Sequence, residues 1–228
     1  MELTPIAHIE NDFPTKFGLP RQSGMAEHLT SAIVMEPPFR APEAFRGIED
    51  FEYLWLIWLF EPMGKRGWSP TVRPPKLGGN KRVGVFATRS PNRPNPIGLT
   101  RVKLISAETK GELGTVLTVA GADLMNGTAI LDIKPYLPFT DSRPDARGGF
   151  TDQTYTQKPL EVVIPEEFYT LYNLKEEQWT ALRKVLGQDP RPHYHHDEQR
   201  VYGLTFAGID FHFKVTDEGV VHLLPPST

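Results

Sequence analysis

Between Arg89 and Gly98 the chain reads RSPNRPNPIG, with two arginines, two asparagines and three prolines in ten residues. Each proline fixes its own φ and pushes the residue before it out of the helical region. Ser90-Pro91, Arg93-Pro94 and Asn95-Pro96 therefore form a loop with little conformational freedom, and such a loop loses little entropy when it grips a ligand. Arg89 and Arg93 offer planar, permanently charged forks suited to carboxylate or phosphate. Asn92 and Asn95 both donate and accept. These residue types point to capture of an anionic ligand; an ordinary stiff turn is the plain alternative.

A second candidate is NGTAILDIKPYLP, Asn126 to Pro138. Asn-Gly is a strong turn signal. In an extended Ala129–Tyr136 segment, Asp132, Lys134 and Tyr136 share one face and Ile133 takes the other. An acid, an amine and a phenol in a row can move or hold a proton, although a solvated strand face reads the same way. Arg21-Gln22-Ser23-Gly24-Met25 is polar and glycine-bearing, and is uninformative alone. Asp189 to Tyr194 is a second stiff loop, and it bears Arg191. Next to it His193, His195 and His196 lie close to Asp197. Neighbouring loop histidines seldom close a tetrahedral site, and no cysteine exists to complete one, so no metal is expected. P-loop, G-x-S-x-G and strand-linked G-x-G-x-x-G motifs are all missing, which argues against a Rossmann-type enzyme.

Charge is distributed unevenly. Formal net charge is −3, yet residues 65–103 hold ten basic side chains and no Asp or Glu. The remainder carries 15 basic against 28 acidic residues, a balance of −13. A cationic segment on an otherwise acidic protein suits a polyanion.

The elements that must position these residues are mostly short strands. Apolar runs bounded by Gly, Pro and Asn predict strands at Pro5–Ile9, Thr30–Met35, Glu52–Phe60, Val83–Thr88, Leu99–Ile105, Thr115–Ala120 and Ala129–Ile133, with a short helix within Pro42–Asp50. Little helix between them suggests a barrel or sandwich. Residues 141–160 read as a linker, since Asp141 to Lys158 is polar and poor in large aliphatics. Beyond it, Asn173 with Glu176 predicts a helix cap. Trp179, Leu182, Val185 and Leu186 share one helical face, and Gly187 ends the helix. Strands at Val201–Phe206 and Asp210–Val215 follow. The expectation is a mainly β chain: a barrel domain over 1–140, the linker, and a small α+β domain over 161–228.

With 228 residues and 39% hydrophobic content the chain can bury a sizeable core. The absence of cysteine fits a reducing, cytoplasmic setting. MELTPIAHIEND lacks the basic and apolar segments of a signal peptide. The most apolar run, Phe51–Phe60, is too short to span a bilayer as a helix.

VGVFATRSPNRPNPIGLTRVKL (Val83–Leu104) and GADLMNGTAILDIKPYLPF (Gly121–Phe139) resemble the TsaA-like, or YaeB, family of tRNA methyltransferases. TVRPPKLGGNKR (Thr71–Arg82), PRQSGM (Pro20–Met25) and QDPRPHYHHDEQRVYG (Gln188–Gly203) agree with it. The resemblance implies a single-sheet β-barrel that works as a homodimer. It would use S-adenosyl-L-methionine to methylate N6 of the threonylcarbamoyl-modified adenosine beside the tRNA anticodon. It also implies a cofactor site at Ser23, Gly24, Met25, Glu61, Pro62, Arg89, Leu99, Asn126, Gly127, Thr128 and Ala129. Arg93, Asn95, Lys81, Arg82 and Arg191 would meet tRNA. Asp132 or Tyr136 would accept the N6 proton, with Lys134 on a carboxylate or phosphate. Glu61-Pro62 and Ala129 stand where relatives often carry polar residues and proline, respectively. The alternative reading is a cofactor- or RNA-binding barrel without transfer activity.

Overall fold

The computed structural model describes residues 2–19, 29–60, 68–74, 77, 81–153, 159–191 and 197–225. Its first half is a closed barrel of β1 (Ala7–Glu10), β2 (Thr30–Met35), β3 (Tyr53–Leu59), β6 (Ile97–Thr109), β7 (Thr115–Ala120) and β8 (Ala129–Pro135). The order around the barrel is β1-β2-β7-β6-β3-β8, antiparallel throughout. A two-stranded ribbon, β4 (Thr71–Val72) with β5 (Val83–Gly84), projects from the β3–β6 connection.

The barrel forms because its strands alternate. In β3, Leu54, Leu56 and Trp58 point inward while Tyr53, Trp55, Ile57 and Leu59 are half-buried outside. Ile9, Ile33, Val102, Leu117, Val119 and Ile130 fill the same interior. Closure removes free strand edges, which the apolar ladder of β3 would otherwise expose.

Several boundaries differ from the sequence reading. β6 runs 13 residues because its ladder continues past Ile105 through a bulge between Leu104 and Ser106. Val83–Thr88 is strand only at its first two residues; Val85–Ala87 is a 3-10 turn. Pro42–Asp50 holds two short 3-10 turns, Pro42–Phe45 and Ile48–Asp50, divided by Gly47 at φ 84°. A short helix, α1 (Pro138–Asp141), runs up to the first residue of the expected linker, and a 3-10 turn at Gly149–Gln153 lies within it.

The C-terminal unit is a four-stranded sheet in the order β10 (Tyr202–Phe206), β11 (Ile209–Val215), β12 (Val220–Leu224), β9 (Glu161–Val163), with β9 and β12 parallel. Helices α2 (Glu166–Leu171) and α3 (Glu176–Gly187) accompany it. The cap of α3 is Lys175 rather than Asn173, because the Gln178 side-chain oxygen accepts the Lys175 N–H at 3.0 Å. β10 and β11 are joined by Ala207-Gly208 with φ of 50° and 76°, the two positive values a tight hairpin requires.

Phe13 and Leu29, which flank the β1–β2 connection, belong to the C-terminal core with Phe168, Trp179, Leu182, Phe206, Phe211 and Phe213. The Asp12 carbonyl accepts the Ala207 N–H at 3.0 Å, and its carboxylate accepts from Gln178 Nε2 at 3.0 Å. Gly18, at φ 88°, lies where any Cβ would run into Leu204. The two units therefore share a core element contributed by the barrel's first connection.

Candidate functional site

Antiparallel closure sends alternate connections to the same end of the barrel. The registers Glu10↔Ala32, Thr30↔Ala120, Leu59↔Ile97 and Trp58↔Ile130 put the β1–β2, β3–β6 and β7–β8 connections together. Those connections contain the segments singled out from the sequence: Ser23–Met25, Glu61-Pro62, Arg89–Gly98 and Asn126–Ala129. Ser23, Gly24, Met25, Glu61 and Pro62 lie outside the described residues.

The β7–β8 turn is stitched to the end of β1. Asn11 donates its N–H to Asn126 Oδ1 at 3.0 Å and its amide Nδ2 to the Leu124 carbonyl at 2.9 Å. Asn126 and Gly127 donate their N–H groups to Phe13 and Ile9 carbonyls at 2.8 and 2.7 Å. Gly127 sits at φ 78°, a conformation glycine adopts without strain. The Thr128 hydroxyl donates to the Met125 carbonyl at 2.8 Å. Side chains of Asn126 and Thr128 thus build the turn, and Asn126 and Gly127 remain exposed at its tip.

The Arg89–Gly98 loop organises itself around Arg93. Its guanidinium donates to the carbonyls of Thr88 at 2.7 Å and Val85 at 3.2 Å, and lies 5.6 Å from the centre of the Phe86 ring. Ser90 N–H donates to Thr88 Oγ1 at 3.2 Å, and Asn92 N–H donates to Ser90 Oγ at 3.3 Å. Pro96 offers its carbonyl to Phe60 at 2.9 Å, fixing the loop to the end of β3. Arg89 and Asn95 are exposed, as are Lys81 and Arg82 at the start of β5. Arg93 is half-buried and its Nη1 serves the loop's own carbonyls, which the sequence did not signal.

Beneath this loop runs a buried relay. Trp58 Nε1 donates to Thr100 Oγ1 at 3.0 Å, and Thr100 donates to Asp123 Oδ1 at 2.7 Å. Indole nitrogen can only donate, so the Thr100 hydroxyl must point its own proton at the carboxylate. Asp123 is held as an acceptor at the end of the barrel where the connections meet. Nothing in the spacing of Trp58, Thr100 and Asp123 suggested this; it exists only once β3, β6 and the segment after β7 are side by side.

On the outer barrel face, Leu99, Ile57 and Asp132 form one row across β6, β3 and β8. Arg101, Trp55 and Lys134 form the next. Asp132 pairs with Lys134 at 2.8 Å, both well exposed. Tyr136 lies four residues beyond Asp132, roughly 13 Å along the strand. There it meets Tyr53, Trp55 and the Arg101 guanidinium, which is 5.4 Å from its ring and 5.0 Å from that of Tyr53. The structure therefore brings Asp132 and Lys134 together and sets Tyr136 apart at the far end of the row. Below it, the Leu137 N–H and the Trp55 indole both donate to Asp141 and hold that carboxyl below its ordinary range.

Arg191 belongs to the C-terminal unit, in the segment after α3. Its Nε and terminal nitrogen engage both oxygens of Asp189 at 2.8 and 2.9 Å, and its side chain is only 15% exposed. That hydrogen bonding raises its already high pKa. Asp189 itself has φ 51°. The pair shapes the loop and leaves little of the fork for a phosphate. Among the described residues no cluster of three metal-ligating side chains occurs; His193, His195 and His196 lie outside them. No described helix is long and apolar enough to cross a membrane.

Family comparison matches residues 8–142 to the tRNA-methyltransferase O N-terminal domain and residues 157–223 to the TrmO C-terminal domain. A tRNA (adenine(37)-N6)-methyltransferase of Escherichia coli K12 is 36% identical over 219 residues, covering 94% of this chain and 93% of the relative. A Pseudomonas aeruginosa relative named for S-adenosylmethionine-dependent methyl transfer is 34% identical over 226 residues, covering 97% and 96%. The crystal structure of TrmO from Pseudomonas aeruginosa superposes with a TM-score of 0.76 at 29% identity, covering 98% of this chain and 97% of that one.

Proposed function

The chain belongs to the tRNA-methyltransferase O family, and we propose that it transfers a methyl group from S-adenosylmethionine to N6 of the threonylcarbamoyl-modified adenosine beside the tRNA anticodon. It is an enzyme, a tRNA adenine-N6 methyltransferase. The observation that carries the reading is the convergence of three connections, with the Arg89–Gly98 loop among them, at one end of a closed barrel.

The residues there suit this cofactor. Arg89 offers an exposed fork to a carboxylate, Leu99 offers an exposed apolar surface beside Ile57, and the Asn126–Gly127 tip offers backbone groups. Ser23, Gly24, Met25, Glu61 and Pro62 belong to the same proposed site by family resemblance, together with Thr128 and Ala129 at the start of β8. S-adenosylmethionine supplies a methyl already activated by its sulfonium, so alignment and exclusion of water account for most of the acceleration required of the protein. The rigid proline loop provides the alignment. Asp132, one row from Lys134 and level with Leu99, accepts the N6 proton. Lys134 meets the threonyl carboxylate or a phosphate. Tyr136, set apart along the strand, serves better as a packing partner of Arg101 within one subunit.

Lys81, Arg82 and Asn95 face the tRNA, and the acid-free segment 65–103 supplies the steering charge. We assign the working form to a homodimer. Its support is the exposed apolar side chains on β6, Ile97 and Leu99 together at 40% and 54% exposure and Ile105 beyond Arg101 and Lys103 at 53%. A tRNA substrate and a cysteine-free chain support a cytoplasmic location.

The test is methyl transfer from labelled S-adenosylmethionine to total tRNA from cells with and without the threonylcarbamoyl modification. Label confined to the modified pool establishes reaction and substrate. Label in neither pool, from protein that still binds the cofactor, refutes transfer and leaves a binding barrel.

A further inference from the structure

Phe86 is an apolar ring that the fold deliberately leaves outside. In the turn Val85–Ala87 its neighbour Val85 is buried at 1% exposure, while Phe86 is 72% exposed. The ring is nonetheless fixed from one side. Arg93 lies 5.6 Å from its centre, and Arg93 is itself held by the Val85 and Thr88 carbonyls. A guanidinium anchored by two backbone acceptors makes a permanent backing for the ring rather than a passing contact. We infer that Phe86 is the platform on which one unstacked base of the tRNA anticodon loop stacks, and that Arg93 positions it. The inference rests on the tRNA reading above and adds a recognition residue to it.

Charge selects the occupant. Lys81, Arg82 and Arg89 bracket Phe86 in sequence, and no carboxylate occurs from residue 65 to 103. The ribbon β4–β5 holds this neighbourhood together: Val85 N–H donates to the Pro70 carbonyl at 3.0 Å, and Ser69 N–H donates to the Asn92 carbonyl at 3.4 Å. Trp68, next to Ser69, is a further ring at 54% exposure in the same acid-free segment. Splayed bases of RNA loops stack on aromatic faces while cations track the phosphates. A second copy of this chain, seated by two-fold symmetry on the same patch, would bring identical cations face to face. Exposure alone does not mark such a site: Phe139 is 79% exposed, but stands beyond β8 at the other end of the barrel, two residues before Asp141.

The experiment measures affinity of the full chain for a threonylcarbamoyl-modified anticodon stem-loop over a range of salt. Phe86→Leu, which keeps apolar volume without a π face, should weaken binding roughly 5- to 150-fold. Phe86→Tyr should stay close to the parent. Because no phosphate contact is lost, the salt slope of Phe86→Leu should match the parent, whereas Arg82→Ala should reduce it by about 0.7. Cofactor affinity and sedimentation should be unchanged in Phe86→Leu. Parental RNA affinity in Phe86→Leu overturns the inference, and so does a change in its subunit mass, which would assign the ring to a protein contact. A parent chain that neither binds nor methylates the stem-loop removes the tRNA reading itself, and the inference with it.

Discussion

Replacing Gly98 with alanine is a stringent test of the site's foundations. Gly98 lies on the inward face of β6, opposite Trp58 in the ladder. A Cβ there would fall within 2.6 Å of three ring atoms of Trp58. The indole cannot simply retreat: Phe60 packs against it with ring centres 4.2 Å apart, and its Nε1 is committed to Thr100. Overpacking of this kind costs about 1–3 kcal/mol, and loss of the buried indole hydrogen bond adds about 1 kcal/mol. We expect Gly98→Ala to destabilise the chain by about 2–4 kcal/mol, lowering the melting temperature by roughly 4–16 °C. Urea titration followed by Trp fluorescence measures it. Gly84→Ala is the control. Gly84 has ordinary dihedrals, φ −59° and ψ 140°, and open space around its missing Cβ, so it should be neutral or slightly stabilising. In a Trp58→Leu background the cost of Gly98→Ala should shrink to less than about 1 kcal/mol, because the colliding ring is gone. An unchanged midpoint for Gly98→Ala, or an undiminished cost in that background, would refute the reasoning.

Asp132→Asn should lower kcat at least about tenfold with little effect on cofactor affinity, while Tyr136→Phe keeps most turnover; the reverse ranking in steady-state methylation would move the base to Tyr136. Arg191→Ala should destabilise the C-terminal unit by about 1.5–3 kcal/mol through loss of its charged hydrogen bonds to Asp189, with tRNA affinity at matched salt nearly unaffected; urea unfolding and RNA binding read the two effects separately. Asp141 has its pKa depressed in the folded chain by the Leu137 N–H and the Trp55 indole. Its contribution to stability is therefore present above the unfolded carboxylate pKa and is lost as pH falls through the lower folded value. Asp141→Asn should flatten that acid limb in a stability–pH profile, and a profile identical to the parent's would exclude this role.

Much of the fold was legible because strand alternation is local. Thr30–Met35 and Thr115–Ala120 fall where their apolar pattern puts them. The strand at Asp210–Val215 was equally plain, and Phe211, Phe213 and Val215 alternate into the core there. What escaped depended on partners distant in sequence. β9 is three residues long and exists because β12 pairs with it in parallel. The α3 cap moved to Lys175 because the Gln178 amide serves both Lys175 and Asp12, the latter 166 residues away. At the site, the rigidity of Arg89–Gly98 and the turn at Asn126-Gly127 were readable from proline and Asn-Gly chemistry. The role of Arg93 was not, since its acceptors are backbone carbonyls that any residue could supply. The Trp58–Thr100–Asp123 relay was invisible for a related reason: each member is unremarkable until the barrel closes.

The placement of Phe13 and Leu29 in the C-terminal core has a consequence for biosynthesis. A ribosome finishes β8 before it has made any partner for these two side chains. At cellular elongation rates of about 5–20 residues per second, the roughly 80 residues from there to the end of β11 take roughly 4–16 s to appear. During that interval the nascent barrel can complete its strand ladder and the backbone bonds of Phe13 to Asn126 and of Leu29 to Gly121, while the C-terminal side chains that join Phe13 and Leu29 in their core are still missing. The side chains of the earliest-made connection are thus covered only after the helices and sheet of the C-terminal unit have been made.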